Sequence, residues 1–359
     1  MEIIDNSRII AFNTLKLLLA ICIVGHHIFC NVHIGEYFRC ADLVVECFFM
    51  LSGFFLAKNF YNIKDINSVD KPQEFFNFFG KKIKQLYPTF LFCALLNFLL
   101  RNALSDHITS KTFMLNLSMM GNWGGIESIL NGSWYLIVYF WLSLFLYYVL
   151  LYYNYKAKIL YIPFLTIISL FYFINNGNCI HGNYQVIFNL ISVGTIRGLL
   201  GLCCGIITFE IAIVVKTMNI KIRYFDYILL ILEILFSVLI FKYIILNKSH
   251  SIADFNIYFY FGYVISLIYL RKERFLKFLN LKIWEKISCI SYTLYLTYFI
   301  IVEFVLVKIN LKLSLFSTYL IFIVASILFA YICYYIQKIV FYHIKRIFII
   351  NNDLGNGTK

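Results

Sequence analysis

The sequence predicts an all-α integral membrane protein, a bundle of about ten transmembrane helices with both termini in the cytoplasm. Three observations carry that expectation. Hydrophobic residues fill 62% of the 359 positions and charged ones only 14%, whereas soluble domains run near about 45–50% and about 25%. The apolar residues gather into runs of about 20, the length that crosses a hydrocarbon core as a helix. All but two of the 31 Lys and Arg residues fall between or at the ends of those runs rather than along one polar face, so the net charge of +13 speaks for membrane lipids and against nucleic acid as a partner.

The elements follow in chain order. The first run, 9–30, is too long for a signal-peptide core and lacks a small-residue cleavage site, so it reads as a retained span. The second, 41–61, follows after a short connection, which makes the two helices neighbours. The third, 83–104, starts inside the basic stretch KKIKQLYP. The fourth and fifth, 131–153 and 158–175, meet at Lys156 and Lys158, and the fifth is short and contains Pro163. Residues 186–195 form an extra apolar piece, expected as a re-entrant or interfacial helix. The remaining spans are 196–215, 225–246, 252–270, 284–307 and 313–336, and residues 337–350 are expected as an amphipathic tail on the membrane surface. One membrane domain, 1–350, is thus expected, with a short polar tail at 351–359.

An even number of spans puts both ends on one side. With the N-terminus inside, 22 Lys and Arg fall on the cytoplasmic side and seven outside, while Lys16 and Arg197 lie within spans. The positive-inside rule selects that orientation. Of the ten cysteines, most sit within apolar runs, where a free thiol behaves as a small hydrophobe. Only Cys30, Cys40 and Cys179 fall near loops. No CxxC pair or His/Cys spacing points to a metal, and no permanently bound cofactor is expected.

A charged side chain at the centre of a span costs roughly 2.5–3.5 kcal/mol on insertion scales, so each one is a candidate for function. Within NTLKLLLAICIVGHHIF (13–29), Lys16 and His27 are separated by three helical turns with about 20° of drift. They share one face, about 16 Å apart along the axis. Asn13 lies near the same stripe, and His26 points about 80° off it. The first span runs outward and the second inward, so His27 and Glu46 both fall in the outer third. A neutral histidine beside a carboxylate is a plausible general-base pair. The plainer alternative is that the two satisfy one another or face a wet crevice.

Gly53 follows Glu46 by two helical turns, leaving room for a close helix contact or a ligand. Ser52 has no GxSxG-like elbow around it and reads as a helix-packing hydroxyl before a nucleophile. Lys81, Lys82 and Lys84 border the inner membrane surface, where they suit either snorkelling to lipid phosphates or an anionic cofactor.

Taken in order, these segments resemble the acyltransferase 3 family of integral-membrane acyltransferases, which includes bacterial O-acetyltransferases of surface polysaccharides. The family's basic residue, ten residues and histidine appear as Lys16 to His27. Its acidic residue followed by FFxxSGF appears as ECFFMLSGF, giving Glu46, Ser52 and Gly53. Its basic stretch before a proline appears as KKIKQLYP, and later echoes are GSWYL, IRGLLGLCCG and ISYTLYLTYF. The resemblance implies a ten-helix bundle in the bacterial cytoplasmic membrane that takes an acyl group, usually acetyl, from cytoplasmic acyl-CoA. The acceptor it implies is a hydroxyl of a cell-surface or lipid-linked glycan.

The same resemblance implies His27 as the catalytic histidine and Arg197, Trp134 and Tyr135 as lining the site, while the residues' own chemistry puts Glu46 beside His27 and Lys16, Lys81, Lys82, Lys84 and Arg197 at the donor. Ser52, Trp134, Tyr135 and Tyr298 line the acceptor side. The chain departs from the family in four places. Lys16 stands for the usual Arg, Asn13 for an Asp, Gln85 for a frequent basic residue and Tyr298 for a frequent His. Lys keeps the charge but loses the planar fork of guanidinium. A flippase- or polymerase-like transporter, or a non-catalytic component of an envelope-polysaccharide pathway, would share the spans and the basic charge.

Overall fold

A computed structural model describes residues 6–32, 37–63, 65–66, 68–103, 108–121, 128, 130, 132–177, 180, 186–187, 191–218, 225–302 and 315–356. Among the described residues twelve α-helices carry the fold. They are α1 (Asn6–Val32), α2 (Val44–Tyr61), α3 (Lys71–Ala103), α4 (Ser110–Leu117), α5 (Trp134–Lys156), α6 (Ile162–Asn175), α7 (Val193–Thr217), α8 (Phe225–Leu246), α9 (Asn256–Leu270), α10 (Ile283–Ser288), α11 (Ser291–Ile300) and α12 (Leu315–Asn356). Among the described residues eight stretches are long and apolar enough to cross a membrane. One of them, Trp134–Asn175, holds both the fourth and the fifth expected spans. Its 42 residues are about 63 Å of helix, twice one hydrocarbon thickness. Asn154 breaks it at φ 33°, ψ −99°, just before a π-turn at Ala157–Tyr161. The expected ninth span is helical as α10 and α11, and its part beyond 302 lies outside the described residues, as does Cys179.

Three local expectations change. Residues 186–187 and 191–192 are not helical but pair as a two-residue antiparallel hairpin, β1 (Val186–Ile187) and β2 (Ile191–Ser192). The extended backbone is what Ser192 needs as the N-cap of α7, where its Oγ accepts from the Thr195 N–H at 3.2 Å. The basic stretch KKIK lies ten residues inside α3, because Lys and Gln are good helix formers and hydropathy alone ends a span too early. Residues 337–350 continue α12 without a break instead of forming a separate surface segment.

α2 is the axis of the bundle. Residues all round it are buried, from Val44, Val45 and Glu46 through Phe49, Met50 and Leu51 to Phe54 and Leu56, the mark of a helix surrounded by protein. α12 is the opposite case: Phe316, Leu320, Val324, Leu328 and Ile332 recur every fourth residue on its exposed side, which suits a lipid-facing stripe. The closest partner of α2 is α7, and glycine sets their separation. A Cβ on Gly53 would collide with the backbone of Leu202, and one on Gly205 with the backbone around Met50. Gly201 likewise leaves room for Phe49. Small residues let two helices pack by backbone contact inside a membrane.

Two polar ties fix the ends of α1. Phe38 sits in the left-handed region at φ 64°, which costs a non-glycine residue roughly 1–3 kcal/mol. It is held there by its N–H bond to the Ile245 carbonyl at 2.8 Å and by His26, whose Nδ1 lies 2.9 Å from the Phe38 carbonyl. At the other end, the fully buried Glu233 of α8 accepts the backbone N–H groups of Arg274, Phe275 and Leu276 at 2.9, 3.2 and 3.0 Å. That carboxylate pins the segment after α9 beneath α1, where Thr14 donates to the Leu279 carbonyl at 3.1 Å.

Candidate active site

The close approach of α2 and α7 brings two buried charges together. Arg197, near the start of α7, donates from Nε to Glu46 Oε1 at 2.6 Å. The other Glu46 oxygen accepts from Tyr258 of α9 at 2.7 Å. Arg197 also donates from Nη2 to the Asp42 carbonyl at 3.4 Å, and its guanidinium lies 5.2 Å from the Trp134 ring centre. Glu46 and Arg197 are 0% and 2% exposed, so each charge depends on the other for compensation. Both Glu46 oxygens, expected beside His27, are engaged by Arg197 and Tyr258. The carboxylate whose charge reaches His27 is that of Asp42, one turn earlier.

His27 packs across α1 onto α11. Its ring centre is 5.1 Å from that of Tyr298, tilted by 36°, and 5.8 Å from that of Phe299 in edge contact. His26 turns toward the Phe38 loop instead. The two adjacent histidines thus part as the helical period predicts, one toward the bundle and one toward a connection. Gly132, at φ 88°, leaves the space that the Tyr298 hydroxyl occupies, since a Cβ there would come within 2.7 Å of it.

Below this lies a cavity of about 200 Å³. Lys16, Ser52, Gln85, Tyr135, Tyr139 and Tyr295 supply most of its polar lining, and Phe48, Leu51 and Leu86 much of the rest. Ser52 Oγ and the Tyr135 hydroxyl are 3.0 Å apart. Lys82 hydrogen-bonds the Tyr139 hydroxyl and lies 5.2 Å from the Phe78 ring centre. Lys16 is 5.3 Å from the Phe55 ring centre and feels the charge of Lys82. Of the basic trio, Lys82 is buried in the bundle while Lys81 and Lys84 are exposed. A run of rings joins cavity and histidine: Tyr139 to Tyr135 at 6.0 Å, Tyr135 to Tyr295 at 5.5 Å, Tyr295 to Tyr298 at 6.3 Å, then His27.

The site residues expected from the sequence thus fall into two connected groups. Lys16, Ser52 and Tyr135 line the cavity, and Lys82 bonds Tyr139 of its wall. His27, Tyr298, Trp134, Arg197 and Glu46 occupy the end of the bundle where α2 and α7 begin. Asp42, Tyr139, Tyr258, His250 and Tyr295 join them without having been singled out in the sequence. Only Asp42 carried a signal, standing one helical turn before Glu46. A larger groove of about 650 Å³ runs between α7, α8 and α9, lined mostly by aliphatic and aromatic side chains. Among the described residues no cluster of His, Cys, Asp or Glu could hold a metal ion.

This arrangement places cations beside an aromatic cavity that a run of rings joins to a histidine. A family model described as an acyltransferase domain, that of the acyltransferase 3 family, matches residues 9–335. No curated protein and no solved structure matches the chain. The match runs from the helix bearing Lys16 and His27 to the last apolar helix, and the protein belongs to the acyltransferase 3 family as a multi-pass membrane acyltransferase.

Proposed function

We propose that the protein transfers an acyl group, in first place acetyl, from cytoplasmic acyl-CoA to a hydroxyl of a cell-surface or lipid-linked glycan. It does so as a ten-span protein of the bacterial cytoplasmic membrane with both ends inside. The observation that carries the reading is the cavity bearing Lys16, Ser52 and Tyr135, whose aromatic wall continues through Tyr295 and Tyr298 to His27. In this orientation Lys16 and Lys82 lie toward the cytoplasmic end. They would steady the anionic arm of the donor, with Lys81 and Lys84 at the lipid phosphates or the nucleotide. His27 takes the proton from the acceptor hydroxyl. The oxygen then attacks the thioester carbonyl, and the thiolate of CoA leaves with that proton. Trp134 and Tyr298 wall the acceptor end, and Arg197, held by Glu46 and resting over Trp134, gives it a fixed positive charge.

The test is transfer of radiolabelled acetyl from acetyl-CoA to a glycan in membranes that contain the protein, against membranes that lack it. Label retained only in small molecules would sink the reading. The orientation has its own check. Single cysteines placed at Arg274 and at Lys111 in a cysteine-free background should differ in intact cells. The first should resist an impermeant thiol reagent and the second should react; efficient labelling at position 274 would invert the topology.

A further inference from the structure

His250 lies on the connection between α8 and α9, outside the apolar stretches of both helices. Its two ring nitrogens face two carboxylates. Nε2 is 3.1 Å from Asp42 Oδ1, and Nδ1 is 2.9 Å from Asp254 Oδ2. The Nδ1 contact is a hydrogen bond and the Nε2 contact an ion-pair distance, and a carboxylate at each nitrogen favours the charged ring, which carries two N–H donors where the neutral ring has one. Burial opposes that charge, but the hydrogen bonds and charges of Asp254 and Asp42 outweigh it and hold the ring up at about 9. Asp254 is fully buried in the 3-10 turn Ile252–Phe255 that leads into α9 and so anchors one side.

Asp42 transmits the other side. Its Oδ2 is 3.9 Å from Arg197 Nη1, its carbonyl accepts from Arg197 Nη2, and its charge reaches both His26 and His27. The charged groups around this cluster come from every element that meets there: Asp42 before α2, Glu46 on α2, Arg197 on α7, Asp254 before α9 and the two histidines of α1. The Cys40 thiol, pushed up to about 12 chiefly by burial, adds no charge near neutral pH.

We propose that His250 is a positioning residue of the transfer site, an imidazolium that clamps Asp42 between the α8–α9 connection and Arg197 and thereby sets the negative charge presented to His27. This rests on the reading of His27 as the base. The direction of the pH effect follows from the raised value. The clamp's contribution is complete below the ordinary histidine value of about 6.5. It is lost as pH rises through about 9. Once the proton leaves, one N–H must serve two carboxylates, and Asp42 loses its fixed place.

The experiment uses the full chain in proteoliposomes, with acetyl-CoA as donor and both faces buffered alike from pH 7 to 10. Wild-type kcat should fall through about 9. His250→Gln, with one donor and one acceptor at every pH, should lower kcat at pH 7.5 about tenfold or more, the equivalent of one charge-assisted hydrogen bond, and should abolish the step near 9. His250→Arg, charged throughout, should recover most of the rate and hold it to pH 10. A His250→Gln protein with wild-type kcat and profile overturns the proposal. So does an equal loss of kcat and thermal stability in both variants at every pH, since that would make the residue a structural prop only. If His27→Ala transfers as fast as wild type, the base assignment fails instead. The clamp is then judged by whether the wild-type melting temperature drops through pH 9 and that of His250→Gln does not.

Discussion

Replacing His27 by alanine should abolish detectable acyl transfer while the protein still inserts and folds. Loss of a general base costs about 10²–10⁴ in rate, whereas the contacts removed from the fold include ring packings to Tyr298, Phe299 and His26, each worth about 0.5–1.5 kcal/mol. His26→Ala gives the contrast that makes the result specific. It removes the bond to the Phe38 carbonyl, about 1 kcal/mol of stability, and should keep most of the activity. Radiolabelled acetyl transfer in membranes, normalised to the amount of protein in the bilayer, reads both variants. An essential His26 with a dispensable His27 would overturn the helix-face argument and the assignment of the base at once.

That contrast was legible in the sequence because both histidines and Lys16 ride one helix, where 100° per residue fixes their relative directions. Composition and run length were equally plain: eight apolar helical stretches stand where spans were expected, one of them twice the length of a crossing. What hydropathy cannot register is backbone conformation within an apolar run. It reads 186–195 as helix although Ser192 requires extended backbone ahead of α7. It also ends the third span at the lysines although α3 runs on through them.

Partners far apart in the chain were harder to see. Glu46 and Arg197 are 151 positions apart, and nothing in either segment announces the other except, in retrospect, the glycines. Gly198, Gly201 and Gly205 recur along α7, and Gly53 sits on the facing helix. Depth and the short link between the first two helices pointed to His27 beside Glu46, whereas the Arg197 and Tyr258 contacts depend on azimuth between helices, which depth does not give. Tyr258 and His250 had no signal at all, because a tyrosine among 28 and a histidine in a short connection are unremarkable until folded.

The largest effect on stability is expected at the pair that the glycines bring together. Arg197→Ala should leave Glu46 with the Tyr258 hydroxyl but without a countercharge, at 0% exposure. Breaking a buried pair from one side costs about 3–5 kcal/mol, so the variant should melt well below wild type or fail to accumulate in the membrane. Arg197→Lys should fall between, because an ammonium can keep the charge but cannot reach Glu46, the Asp42 carbonyl and the Trp134 face with one planar fork. The decisive variant removes both charges. Arg197→Met combined with Glu46→Leu discards the desolvation cost along with the attraction, and such replacements are often neutral or stabilising by about 1–4 kcal/mol. The double variant should therefore regain a melting temperature near wild type in detergent yet transfer no acetyl, separating what the pair does for the bundle from what it does for the reaction. A double variant as unstable as Arg197→Ala would mean that packing against Trp134 and Tyr258, and not compensation of charge, is what Arg197 and Glu46 supply.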